Sequence, residues 1–229
     1  MAEVYRERQF RRLTTPRSAA VAGILFAVLF TIGLVLLRTT LSGDPLSDAA
    51  WSGPHQRRIK IALVLEPFAG IAFLWFIGVI RDRIGALEDR FFSTVMLGSG
   101  LLFLAMMFAS MGIAGGVLAL ARHSDVSHSD ILIFGREVML QMNSVYAVRM
   151  AGVFMISLGT IWLRTGLMPR PLVVITYVFA LFLLIVVSFS VWVGLVFPAW
   201  VLLISVYLLA TLPPGTTLAD QAATEENDS

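Results

Sequence analysis

The apolar residues of this chain fall into long runs that are separated by short polar stretches. The runs cover residues 19–37, 59–80, 91–121, 145–163 and 172–212. A transmembrane helix needs about 20 apolar residues to cross the ~30 Å hydrocarbon core of a bilayer. The first four runs therefore predict one span each, and the 41 uncharged residues of the last run predict two. The pattern indicates an all-α integral membrane protein, a bundle of about six transmembrane helices.

The polar stretches at the two ends of the chain predict where this helical domain begins and ends. Residues 1–18 form a basic N-terminus whose arginines precede the first run, which is the charge pattern of a cytoplasmic flank. Residues 213–229 are acidic, small and polar, so we expect a disordered C-terminal tail. Residues 19–212 then form the transmembrane helical domain, and six spans place both termini in the cytoplasm.

Two stretches are open to more than one interpretation. Residues 172–212 are divided most simply by a tight hairpin near residues 194–198, and the alternative is one tilted span plus a re-entrant segment. Residues 122–144 are the most polar interior stretch, and within them residues 131–142 keep an apolar pattern that is too short and too charged to span. An interfacial helix or an outward extension of the next span fits that pattern.

Glu66 interrupts the second run and would lie inside the membrane, where an ionisable group costs roughly 2.5 kcal/mol or more on insertion scales. On an ideal helix it shares a face with Ala62 and Ala69, so we expect it to face protein. Arg149 lies at a similar predicted depth in the fourth run and is the expected partner. We interpret the pair as structural, with proton or ion coupling and an intersubunit contact as alternatives. Pro67 follows at once, and its missing N–H predicts a helix kink.

Gly112 and Gly116 in the third run form a small-xxx-small pair. Such a pair lets the backbone of a neighbouring helix approach closely. We interpret it as a packing site within the chain, and a dimer interface is the alternative.

The turn between the second and third runs is dense in charge. Arginines at the end of one helix and acids at the start of the next both complement the helix dipoles. The spacing therefore predicts a well-defined cytoplasmic turn. Its charged residues are Arg81, Asp82, Arg83, Glu88, Asp89 and Arg90.

Composition excludes several classes of function. The chain is 58% hydrophobic and carries a formal net charge of only +2, with its basic residues scattered between the runs, so nucleic-acid binding has no support. The absence of cysteine excludes disulfides and thiolate metal sites. No P-loop, dinucleotide-binding or nucleophile-elbow motif is present. We therefore expect a protein that is not an enzyme and needs no cofactor.

One cluster has residue types that bind metals. His123, Asp125, His128 and Asp130 lie close together in a serine-rich stretch, and zinc uses imidazole and carboxylate ligands. The cluster lacks the helical HExxH spacing that positions ligands and base together. We interpret it as a solvated external loop and expect no metal, with a metal site as the alternative.

Residues 65–108, LEPFAGIAFLWFIGVIRDRIGALEDRFFSTVMLGSGLLFLAMMF, resemble a family of small multispan membrane proteins of actinobacteria. The resemblance covers the second and third runs and their turn. Among proteins of this size, the stretch resembles the lipid uptake coordinator family of accessory subunits that occur with mycobacterial Mce lipid importers. The resemblance implies a non-catalytic subunit of the inner cell membrane that packs against permease helices of a lipid transporter.

The expected function is accordingly an accessory or scaffolding subunit of a membrane complex, whose partners are membrane lipids and other integral membrane subunits. A second hypothesis is a transporter or channel in which Glu66 and Arg149 line a pathway. A third is a membrane-embedded lipid-modifying enzyme, which would have to gather His123 and His128 around a metal.

Overall fold

The computed structural model describes residues 2–41, 53–84, 90–121, 129–186 and 191–211. Every regular element in these ranges is helical, and the described ranges contain no strand. The elements are α1 (Ala2–Leu41), α2 (Gly53–Ile84), α3 (Arg90–Leu120), α4 (Ser129–Gln141), a π-helix (Met142–Ala147), α5 (Val148–Thr165), α6 (Arg170–Ile185), a 3₁₀-helix (Val191–Leu195) and α7 (Val196–Thr211).

Five helical segments of the described chain are long and apolar enough to cross a membrane. They are Ser18–Leu41, His55–Asp82, Arg90–Leu120, Asp130–Thr165 and Trp192–Thr211. The chain is therefore an all-helical, multi-pass membrane protein. The remaining apolar helix, α6, has 16 residues and a length of about 24 Å, less than the ~30 Å of a typical hydrocarbon core. A sixth span thus remains a prediction.

The fourth span begins earlier than its apolar run. α4, the π-helix and α5 follow one another without a break, so the helical segment runs from Asp130 to Thr165. Of the two interpretations of residues 131–142, the structure has the extension of the next span. Arg136 is tolerated there because its guanidinium is buried against protein partners and does not face lipid.

The apolar stretch 172–212 contains two helices, but the predicted turn position near residues 194–198 differs from the structure. α6 ends at Ile185, residues 187–190 lie outside the described part, and helix resumes at Val191. Pro198 does not interrupt the second helix, and it lies just after the point where the 3₁₀-helix passes into α7.

Helices that are neighbours in the sequence pack antiparallel. Along the α1–α2 contact, Gly33 lies against Glu66 and Gly23 lies against Phe76, so the residue numbers run in opposite directions. Between α2 and α3, Gly70 lies against Phe108 and Gly100 lies against Ile77, so the residue numbers again run in opposite directions. α1 also packs along α7, and α5 packs along both α3 and α6. We call the part of the bundle around residues 33–41 of α1 the Leu41 end.

Five phenylalanines meet at the centre of the bundle, one from each of the five candidate spans. The ring of Phe73 lies within 4.7 to 5.5 Å, centroid to centroid, of the other four rings. All five side chains are buried. We call this group, Phe26, Phe73, Phe103, Phe154 and Phe197, the phenylalanine cluster.

α6 is joined to its neighbours by hydrogen bonds between side chains. Trp200 Nε1 of α7 donates to Thr176 Oγ1 at 2.9 Å, and Thr160 Oγ1 of α5 lies 2.8 Å from Tyr177 Oη. Each bond gives a buried or half-buried polar group a partner in a region where water cannot supply one.

Candidate functional site at the Leu41 end

Glu66 lies where the sequence pattern predicts, in the interior of the bundle. Its exposed fraction is 1%, and the alanines one turn away on either side, Ala62 and Ala69, are fully buried. The carboxyl group rests on Gly33 of α1, where an added Cβ would lie 2.8 Å from Glu66 Oε1. Glu66 Oε2 is buried and has no hydrogen-bond partner in the structure. A buried acid with an unpartnered oxygen therefore occupies the α1–α2 contact.

The structure does not bring Arg149 to Glu66. Arg149 is exposed on the surface of α5, and the ion pair found in the described part of the chain joins Arg136 to Glu137. The predicted depth of Arg149 assumed a span that begins at residue 145, whereas the helical segment begins at Asp130. The Glu66–Arg149 pair is accordingly absent.

A different arginine is buried near the end of α1. Arg38 is 4% exposed, and its Nη2 donates a hydrogen bond to Ser144 Oγ in the π-helix. Its Nε and Nη1 are buried and have no hydrogen-bond partner in the structure. The sequence pattern does not predict a buried Arg38, because the apolar run ends at Leu37 and Arg38 is the first charged residue after it. The residues that follow, Thr39, Thr40 and Leu41, give no clear signal that the helix continues, because threonine is a weak helix former.

Arg136 is the second buried arginine of this region, with an exposed fraction of 8%. Its Nη2 donates to the backbone carbonyl of Leu41 at 2.5 Å, and its Nη1 contacts Glu137 Oε1 at 2.6 Å. A cation at the C-terminus of a helix satisfies a free carbonyl and complements the helix dipole. Arg136 therefore caps α1 and connects it to α4.

The π-helix Met142–Ala147 lies opposite Arg38. Single π-helical turns inside longer helices are rare and are frequent at functional sites. Here the turn carries Ser144, which accepts the hydrogen bond from Arg38, and Asn143, which is 4% exposed. Just before it, the carbonyl of Met139 accepts a hydrogen bond from Ser110 Oγ of α3 at 3.0 Å. The distortion thus lies where polar side chains of α1 and α3 meet this helix.

The other predicted positions are not part of this region. α2 continues through Pro67, whose side chain is exposed. Gly112 and Gly116 are exposed, and within the described chain nothing lies within 4 Å of a Cβ added at either. The structure therefore gives them no close helix neighbour.

The charged turn and the histidine cluster fall largely outside the described residues. Arg81, Asp82 and Arg90 are exposed at the helix ends, and α2 includes Arg83. Glu88 and Asp89 lie outside the described part, as do His123, Asp125 and His128, and Asp130 is exposed in the first turn of α4. Among the described residues there is no group of three or more His, Cys, Asp or Glu that could hold a metal ion.

The chain was also compared with known proteins. No family model matches it, and searches of curated proteins and of solved structures returned no match. Function must therefore be argued from the geometry.

The Leu41 end differs from the rest of the described chain because its unpartnered buried atoms include those of an acid and a base, whereas Ser205, near Gly23, has an unpartnered neutral hydroxyl. A buried carboxyl oxygen and buried guanidinium N–H groups lack partners, and buried polar groups of a membrane protein are normally satisfied internally. Intramembrane ionisable residues of this kind commonly mark binding sites or ion pathways. The region is therefore suited to holding a polar or charged group. Its acid, Glu66, and its base, Arg38, do not form an ion pair with each other.

Proposed function

We propose that the protein is a non-catalytic accessory subunit of a membrane complex that binds its partner by helix packing. In this proposal the chain has six spans in the inner cell membrane, with both termini in the cytoplasm. The complex is a lipid-import transporter, as the family resemblance implies. One observation carries the proposal, namely the exposed face of small residues on α3.

At the interior glycines of this bundle, a neighbouring side chain occupies the space that a Cβ would take. A Cβ added at Gly100 would lie 2.7 Å from Ile77, and one added at Gly152 would lie 3.0 Å from Leu184. The side chain of Glu66 occupies the corresponding space at Gly33. These interior glycines are therefore places of close helix approach, as is general in membrane helices.

The outer face of α3 has the same residue types without a neighbour. Ala105, Ala109, Gly112 and Gly116 follow one another at helical spacing, and all four are exposed. A face of small residues lets the backbone of another helix approach closely. We propose that a helix of the partner subunit packs here.

The test is affinity purification of the endogenous full-length protein in mild detergent, with identification of the proteins that accompany it. The Gly112→Leu/Gly116→Leu double variant should lose the accompanying subunit, because two leucines keep a partner backbone at a distance. Gly78→Leu is the matched control, since Gly78 is an exposed glycine of α2 with an equally open Cβ position. It should retain the partner.

Two results would overturn the proposal. One is recovery of the wild-type protein alone, without a stable partner. The other is equal retention of the partner by the double variant and the control. If the accompanying subunit is a second copy of this chain, the dimer alternative for Gly112 and Gly116 replaces the accessory role.

The topology is tested separately by cysteine labelling, because the chain contains no native cysteine to give a background. Leu167→Cys, in the exposed connection between α5 and α6, should react from the cytoplasmic side only. Asp130→Cys, at the exposed start of α4, should react from the opposite side only. Labelling of both from one side would exclude the proposed arrangement.

A transporter or channel that uses Glu66 is the second candidate function. The observation in its favour is the buried, unpartnered Oε2 of Glu66 at the contact of two candidate spans. Glu66→Gln keeps the size of the side chain and removes its ability to carry charge. In an uptake assay of the assembled complex, this candidate expects Glu66→Gln to abolish transport while the partner still co-purifies. Unchanged transport by Glu66→Gln and Glu66→Leu would exclude it.

A further inference from the structure

Arg38 is a buried cation whose hydrogen-bonding capacity is mostly unused. One nitrogen, Nη2, donates to Ser144 Oγ, while Nε and Nη1 are buried without a partner in the structure. A guanidinium has five N–H donors and cannot be deprotonated under ordinary conditions. Leaving its donors unmatched inside a membrane protein is costly, because no water or lipid tail can accept from them.

Two backbone carbonyls near the end of α1 accept hydrogen bonds from side chains other than Arg38. The carbonyl of Leu36 accepts from Thr40 Oγ1 at 2.8 Å, and the carbonyl of Leu41 accepts from Arg136. The role of capping α1 is therefore filled by Arg136, and Arg38 is not needed for it.

The acids of the described region do not neutralise Arg38 either. Glu137 pairs with Arg136, and Glu66 forms no ion pair with Arg38. Among the described residues, Arg38 is thus a buried cation with no acid paired to it. This leaves a local excess of positive charge at Arg38. An anion is the ligand that such an excess favours.

We propose that Arg38 and Ser144 form a binding site for a phosphate group. The free donors Nε and Nη1 lie at different edges of the guanidinium, and the Ser144 hydroxyl can donate as well as accept. A tetrahedral phosphate offers several oxygens to donors that approach from different directions, and arginine binds it with strong, charge-assisted hydrogen bonds. Ser144 lies in the π-helix, so the backbone on its side of the site is not a regular α-helix.

The position of Arg38 suits a phosphate that comes from the membrane surface. Arg38 lies one turn from the end of the candidate span Ser18–Leu41, and lipid phosphates lie just beyond the hydrocarbon core. An anionic lipid headgroup and free phosphate are the two sources of such a group, and the experiment separates them. The site does not depend on the partner subunit proposed above.

The test uses the purified full-length protein in mild detergent and follows thermal unfolding by tryptophan fluorescence. Phosphatidylglycerol, inorganic phosphate and diacylglycerol are titrated separately, and native mass spectrometry counts bound lipid. We expect saturable stabilisation by phosphatidylglycerol but not by diacylglycerol, which has the same tails without the phosphate. Stabilisation by inorganic phosphate as well would assign the site to the phosphate group alone.

The variants decide whether the effect belongs to this site. Arg38→Gln should weaken phosphatidylglycerol binding at least tenfold, and Arg38→Lys should weaken it less because the positive charge remains. Arg149→Gln is the matched control, since it removes an exposed arginine from the same membrane domain, and it should bind like the wild type. If Arg38→Gln does not fold, Ser144→Ala keeps the cation and should weaken binding severalfold.

Two outcomes would overturn the assignment. The first is that neither phosphate ligand stabilises the wild-type protein more than diacylglycerol does. The second is that binding is weakened equally by Arg149→Gln and by the Arg38 or Ser144 variants, which would show a diffuse effect of charge.

Discussion

The phenylalanine cluster and the Leu41 end are both buried, but they differ in how completely their contacts are made. In the cluster, Phe73 touches a ring from each of the other four candidate spans, and every ring is closely surrounded. At the Leu41 end, Glu66 and Arg38 are equally buried, yet each keeps polar atoms without a partner.

This difference separates the parts that hold the bundle together from the part that is available for function. Lipid tails are as apolar as phenylalanine, so helices in a membrane associate by close packing more than by the hydrophobic effect. The cluster supplies that packing for all five spans. Unpartnered buried polar groups work against stability, and their presence is explained by binding or transport more readily than by folding.

The largest expected effect is at the centre of the cluster. Phe73→Ala removes the ring that contacts four spans and leaves a cavity, so the free energy of unfolding should fall by about 3–5 kcal/mol. Thermal unfolding in detergent, followed by tryptophan fluorescence, measures it. Phe68→Ala is the control, because Phe68 lies on the same helix and is 58% exposed. Equal losses for the two variants would show that the cluster has no special role.

Sequence could predict the spans but not the cluster. Long apolar runs specify which segments cross the membrane, and the buried position of Glu66 followed from its charge and its small neighbours. The chain has 16 phenylalanines, and core-facing and lipid-facing positions are equally apolar in a membrane. Apolarity alone therefore does not distinguish Phe73 from Phe68, although Phe73 shares the helix face of Glu66 and Ala69.

The partner of Glu66 could not be predicted for a different reason. Arg149 was placed by assuming one regular helix that begins at residue 145, but the helical segment begins at Asp130 and contains a π-helix. A π-helix has more residues per turn than an α-helix, so the faces before and after it are not in phase. The sequence pattern does not predict a buried Arg38 either, because it is the first charged residue after an apolar run.

A smaller effect is expected at the contact of Glu66 with α1. Gly33→Ala places a methyl group 2.8 Å from Glu66 Oε1 in a closely packed contact, so stability should fall by about 1–3 kcal/mol. In a Glu66→Ala background the carboxyl group is gone, and the same substitution should cost less. A double-mutant cycle on unfolding in detergent measures the coupling between the two residues. Additive losses would show that the glycine is not needed to accommodate the acid.

The smallest effect on stability is expected on the outer face of α3. Gly112→Ala and Gly116→Ala meet no neighbour in the described chain, so unfolding of the isolated protein should change by less than about 0.5 kcal/mol, typical of surface substitutions. The same measurement on Gly23→Ala should show a clear loss, because that Cβ would press on Phe76 and Ser205. A large loss for Gly112→Ala would mean that this face packs within the chain. Unchanged stability, combined with loss of the partner in the leucine variants, would identify α3 as a surface that serves association and not folding.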